Sequence, residues 1–162
     1  MRTNTAAGRK ENPSWKLVEQ NSPATDAHSY TVQIDGSSRN NPGPAGIGVA
    51  VIAPDGQLIK EISRFIGIKT NNQAEYEALI TALTEIQNMN IKSVTIQTDS
   101  ELLYYQLTGK YSVKSDKLKP LYQRVKQLLN SLSNVKFILV PRESNRLTDR
   151  LAKKASSLAA SH

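Results

Sequence analysis

From Tyr30 onward the chain alternates in a two-residue period, with Tyr30, Val32 and Ile34 apolar and Thr31, Gln33 and Asp35 polar. That is the pattern of a half-buried strand, with Asp35 at its end and Gly36 expected to break it. A loop rich in Gly and Pro, 36–44, leads to the continuous apolar run Ala45–Ala53, closed by the hairpin signature Pro54-Asp55-Gly56. Leu58 to about Ile66 returns as a third strand, making an antiparallel meander. The period then changes. From about Asn72 to Met89, Ala78, Leu79, Ala82, Leu83 and Ile86 recur at helical spacing, with Asn71 or Asn72 available as the cap. Val94–Thr98 reads as a fourth strand ending at Asp99, and Ser100 can cap a short helix reaching Leu107. Ser115 is expected to cap a helix over about 116–132, with Pro120 in its early turns. Val135–Val140 is a last strand, 141–146 a polar loop, and a final helix over about 147–160 should turn Leu151, Ala155, Leu158 and Ala159 inward.

Helical segments precede the fourth and fifth strands, so both should run parallel to the first through right-handed crossovers. The expected class is α/β: a five-stranded mixed sheet, three antiparallel strands followed by two parallel ones, flanked by helices. Residues 1–28 carry Arg2, Arg9, Lys10, Pro13 and Pro23 around a few apolar positions, and read as a flexible N-terminal arm in which Trp15 and Lys16 could touch nucleic acid. Residues 29–162 form one domain.

Composition narrows the chemistry. The 162 residues include no cysteine, which removes disulfides, thiol catalysis and cysteine-ligated zinc. No apolar run approaches the length of a membrane span and the first residues lack a signal-peptide core, so a cytoplasmic protein is expected. Twenty-one Lys and Arg against 14 Asp and Glu give a net charge of +7, which favours a polyanionic partner such as nucleic acid.

Against that basic background, four acids occupy comparable places. Asp35 and Asp99 end strands, while Glu75 and Asp149 fall in the first turns of helices. Each alone has an ordinary explanation, as a turn, cap or helix-dipole residue. Together they repel, and neighbouring strands about 5 Å apart would bring Asp35 and Asp99 side by side. Carboxylates without nearby His or Cys suit Mg²⁺ or Mn²⁺, and two such ions can serve an in-line attack on a phosphodiester.

Specific strings carry a family likeness. Asp35-Gly36-Ser37, the run from Asn41 to Gly48, Thr70-Asn71-Asn72-Gln73-Ala74-Glu75-Tyr76, Thr98-Asp99-Ser100, and Asn145 to Ala152 with Asp149 resemble type 1 ribonuclease H over nearly the whole chain after the arm. The resemblance implies the ribonuclease H-like fold and metal-dependent hydrolysis of the RNA strand of RNA–DNA hybrids, giving 5′-phosphate and 3′-hydroxyl ends. It implies that Asp35, Glu75, Asp99 and Asp149 are the metal-binding catalytic acids, holding two ions. Asn40, Asn71, Asn72 and Gln73 then stand where the family meets the hybrid's minor groove. Gly36 and Ser37 stand beside the 2′-hydroxyls, and Thr70 where a DNA phosphate is held. The loop that carries a histidine in many members reads Pro141-Arg142-Glu143-Ser144-Asn145 here, so Arg142 would meet phosphate instead. The basic insertion after the third helix is also absent, which places the chain in the compact branch. Two alternatives stand beside this reading: a nuclease that also cuts double-stranded RNA, and a non-catalytic hybrid-binding module. With no unpaired apolar stripe, the chain is expected to act as a monomer.

Overall fold

A computed structural model describes residues 16–17 and 28–158 of the chain. Its strands are β1 (Lys16–Leu17), β2 (Tyr30–Ser38), β3 (Gly43–Ile52), β4 (Leu58–Lys69), β5 (Val94–Thr98) and β6 (Val135–Leu139). Its helices are α1 (Asn71–Asn88), α2 (Glu101–Leu107), α3 (Lys119–Asn130) and α4 (Arg146–Ser156), the last entered through a 3₁₀ turn, Arg142–Asn145. The sheet runs β1-β6-β5-β2-β3-β4. β2, β3 and β4 form the antiparallel meander, and β5 and β6 run parallel to β2 as the crossovers require. The five expected strands are therefore present in the expected sense. The sixth is an addition: within the segment read as a flexible arm, Lys16–Leu17 pairs in parallel with Lys136 and Phe137 at the β6 edge. Trp15 lies outside the described residues.

Packing explains several departures from the sequence pattern. Gly36 does not end β2, which continues to Ser38 with Gly36 opposite Ile47. A Cβ at Gly36 would lie 2.2 Å from the backbone carbonyl carbon of Ala74, so the glycine serves close approach of α1 to the strand. Neither Asn71 nor Asn72 caps α1. Thr70 does, its hydroxyl accepting from Gln73 N at 3.1 Å while Gln73 Oε1 accepts from Thr70 N at 2.8 Å, a reciprocal capping box. Ser115 does not open α3. It forms a preceding turn, and the helix starts at Lys119, which puts Pro120 in the first turn, where its missing N–H is no loss. Finally, α4 stops at Ser156, so Leu158 is 41% exposed rather than inward, Ala152 being fully buried in its stead. Ala159 lies outside the described residues.

The core lies chiefly between the sheet and α1. Val32, Ile34, Ile47, Val49 and Val51 meet Tyr76, Leu79, Leu83 and Ile86, all essentially inaccessible to solvent. Each large side chain buried this way stabilises the fold by about 1.5–3 kcal/mol. Tyr76 also donates its hydroxyl to Gln106 Oε1 at 2.6 Å, pinning α1 to α2 through a satisfied buried pair.

Candidate active site: an acidic cleft over the central strands

The carboxyl end of β5, the body of β2, the first turns of α1 and α4, and the 3₁₀ turn converge on one cleft of about 280 Å³. Asp35, Gly36, Ser37, Ser38, Asn71, Glu75, Asp99, Arg142, Asp149 and Lys153 line it. Asp35, Glu75 and Asp99 each offer a carboxylate oxygen within 4.8 Å of the others. Asp35 also lies within hydrogen-bonding reach of the Asp149 carboxyl group, while Asp149 Oδ2 is paired with Lys153 Nζ at 3.1 Å. Three of the expected acids are thus gathered tightly, and the fourth stands at their margin with a cation of its own.

The local fold holds this arrangement against its own repulsion. Gly36 N donates to Glu75 Oε1 at 3.1 Å, a bond made possible by the same close approach that excludes a Cβ. Burial, followed by the charges of Asp99 and Asp149, pushes the Asp35 carboxyl up to about 8. Burial and the charges of Asp35 and Asp99 raise Glu75 well above the usual carboxylate range, the Gly36 N–H offsetting part of this. Asp99 is raised by burial as well, opposed by the Arg142 guanidinium and a hydrogen bond from Asn145. Three acids that resist ionisation together form a site whose negative charge Arg142 and Lys153, at its margin beside Asp99 and Asp149, offset only in part. Their donors are oxygens alone, so the set fits a hard divalent cation, which would remove both burdens at once.

The expected substrate residues divide. Gly36, Ser37, Asn71 and Arg142 line the cleft. Asn71 Oδ1 accepts from Ser38 N at 2.7 Å and its own N–H donates to Asn41 Oδ1 at 2.8 Å, which ties α1 to the loop after β2. Thr70 and Gln73 are engaged in the α1 cap rather than in the cleft lining. Asn72 is exposed beside Asn71. Asn40, also exposed, takes a left-handed φ of 65° in the turn between β2 and β3. Sequence reasoning missed Asn145 as a working residue. Fully buried, it donates from Nδ2 to Ile34 O at 2.7 Å and reaches Asp99, so it fastens the 3₁₀ turn to β2 at the site itself. Its available signal was its place four residues before Asp149. Lys153, one helical turn after Asp149, was likewise legible as its i,i+4 partner.

A family model described as reverse transcriptase-like matches residues 33–155. Ribonuclease HI of Halobacterium salinarum is 36% identical over 152 residues, covering 86% of this chain and 75% of that protein. The chain belongs to the type 1 ribonuclease H family. Solved members of this family superpose closely. LC11-RNase H1, isolated from compost and solved in complex with RNA/DNA hybrid, is 38% identical with a TM-score of 0.77, over 82% of this chain and 99% of that one. The N-terminal RNase H domain of a Mycobacterium tuberculosis protein is 35% identical with a TM-score of 0.75, over 79% of this chain and 98% of that domain. The full mycobacterial protein is a bifunctional one, of which this chain matches 36% of the length. The likeness to it is therefore to one ribonuclease H domain.

Proposed function

We propose that this ribonuclease H hydrolyses the RNA strand of RNA–DNA hybrids as an endonuclease, with Asp35, Glu75, Asp99 and Asp149 as its metal-binding catalytic acids and two Mg²⁺ or Mn²⁺ ions as its cofactor. The observation that carries the reading is the convergence of Asp35, Glu75 and Asp99 within 4.8 Å, in a chain of net charge +7. A module that only binds nucleic acid gains nothing from concentrating acids where phosphates must approach. A pair of divalent ions, when bound, supplies charge neutralisation at the reacting phosphate and a more acidic water at neutral pH.

The chain's own residues do the rest. Gly36 N–H and Asn145 fix Glu75 and Asp99 before substrate arrives, so little reorganisation is needed at the moment of reaction. Asp149, 30% exposed, can release Lys153 and turn to the cluster. With the carbonyl oxygen of Asn71 taken by Ser38 N, its amide NH₂ is the group that donates to a 2′-hydroxyl, and the Ser37 hydroxyl is a second contact. Gly36 lends its N–H to Glu75, so its part is to bring α1 close. Arg142, beside Asp99, meets a phosphate with its planar fork of donors. Asn40, Asn72, Thr70 and Gln73 complete the groove, the last two through the cap that sets the start of α1. Products carry 5′-phosphate and 3′-hydroxyl ends, and the cellular task is removal of RNA primers and hybrid loops by a cytoplasmic monomer. No helix among the described residues is long and apolar enough to cross a membrane.

The test is cleavage of matched end-labelled RNA–DNA, RNA–RNA and DNA–DNA duplexes with Mg²⁺, with Mn²⁺ and with chelator, beside Asp99→Asn. Metal-dependent cuts confined to the hybrid's RNA strand are expected, with 3′ ends that a polymerase extends, and a loss of at least about a hundredfold in turnover for the variant. Tight hybrid binding without cutting in either metal would overturn the reading. Equal cutting of RNA–RNA would overturn its selectivity.

A further inference from the structure

A second hollow, of about 410 Å³, adjoins the acidic cleft. It is lined by Arg142, Glu143, Arg146, Asp149 and Arg150. Arg142 and Asp149 line both hollows, so the two meet at these side chains. Arg146 and Arg150 lie four residues apart on α4, roughly 6 Å along its axis at the α-helical rise. Lys154 continues the same row, and all three are exposed.

An amphipathic helix usually presents a solvated face, and such a face ordinarily mixes the two signs of charge. Here the exposed charged residues of α4 are Arg146, Arg150, Lys153 and Lys154, with no acid among them. The helix's one acid, Asp149, is taken by Lys153, and neither Arg146 nor Arg150 makes a salt bridge among the described residues. Arg146 also sits in the first turn, at the positive end of the helix dipole, where a cation destabilises the helix. Helix stability therefore does not account for it. Three guanidinium groups against Glu143 and Asp149, the latter already paired with Lys153, leave the hollow positive, directly beside a cleft that is acidic.

We propose that Arg146 and Arg150, continuing from Arg142, form a phosphate-binding track that holds the sugar–phosphate backbone of the substrate beyond the scissile phosphate. This rests on the nuclease reading above and adds to it the path that the nucleic acid takes on the α4 side. Arginine suits such a track because its fork grips two phosphate oxygens at once, without regard to base sequence. The track also supplies attraction that the acids of the cleft oppose, and it makes binding depend on salt through counterion release.

The experiment measures binding of a fluorophore-labelled RNA–DNA hybrid to the full chain across a range of salt, all in an Asp99→Asn background so that nothing is cut. Arg146→Gln with Arg150→Gln is compared with Lys92→Gln, a lysine away from both hollows. The slope of log affinity against log salt should become shallower by about 0.9 for each arginine lost, and should stay unchanged for Lys92→Gln. Shortening the hybrid from one end, and only one, should erase the difference between the parent and the double variant. Should the double variant fail to fold by circular dichroism, Arg150→Gln alone, a single exposed substitution, gives half of that slope change. An unaltered slope in a folded variant, or a difference that survives shortening from either end, overturns the track. That failure is separate from failure of the nuclease reading, which shows instead as absence of hybrid cleavage by the unsubstituted protein.

Discussion

The two faces of the central sheet are built differently. Toward α1 the sheet presents bulk: Val32, Ile34, Ile47, Val49 and Val51 interlock with Leu79, Leu83 and Ile86 in a layer closed to solvent. Toward α4 it presents almost nothing. Gly46 and Gly48 let the helix backbone come so near that a Cβ at either would lie 2.5 Å from Ala152 O or 2.4 Å from Thr148 O. The first face supplies most of the apolar burial that stabilises the fold. The second supplies little burial but sets the depth at which α4 lies, and with it the distance from Asp149 to Asp35. Apolar burial is thus concentrated on the α1 side, whereas the placement of Asp149 is set from the α4 side, Gly36 doing the same for Glu75 where α1 begins.

Substitutions on each face should separate the two roles. Leu79→Ala, in the thick layer, should cost about 2–5 kcal/mol in urea unfolding while leaving the turnover of the folded fraction nearly unchanged. Gly48→Ala should cost less, about 1–3 kcal/mol, because a single methyl group forces a helix outward. Yet it should lower turnover by roughly 10- to 100-fold, since displacing Asp149 by even part of an ångström spoils the site. Equal loss of turnover in both variants, after correction for folding, would break the comparison.

The acids between the faces give a smaller, pH-dependent effect. Asp35 is raised from 3.8 to about 8 in the folded, metal-free protein, so folding favours its protonated form. Its contribution to stability is therefore complete below about 4 and is lost as pH rises through about 8. Metal-free protein should melt at progressively lower temperature between these limits as pH is raised, Glu75 and Asp99 acting in the same direction. Asp35→Asn should flatten the profile, and added Mg²⁺ should restore stability at the alkaline end. The smallest effect belongs to Lys153→Met. Its ion pair with Asp149 is 65% exposed on the lysine side, so unfolding free energy should change by less than about 0.5 kcal/mol.

Much of this was legible in the sequence, for identifiable reasons. Alternation from Tyr30 and the helical stripe from Ala78 to Ile86 report burial on one face directly, and the crossover rule then orders the parallel strands. The acids were legible because they recur at element ends. What failed was local. Gly36 reads as a breaker because a glycine's freedom is visible in sequence, whereas the nearness of Ala74 is not. Thr70, Asn71 and Asn72 are three competent caps in a row; the Thr-x-x-Gln spacing to Gln73 decides among them. Leu158 matched the apolar stripe of α4, but the helix stops two residues before it. Asn145 has no periodic signature, because its value lies in reaching Ile34 O from across the chain.

The central claim, that Asp35, Glu75 and Asp99 are held together for a cation, is tested most directly by calorimetric titration of Mn²⁺ into the full chain at pH 7. The titration is run in two buffers of different ionisation enthalpy, so that protons released can be counted. Saturable binding with net proton release is expected, because a carboxyl raised to about 8 must lose its proton to the buffer when the metal binds, and both signals should collapse in Asp35→Asn. Binding without proton release, or binding undiminished in the variant, would contradict the account.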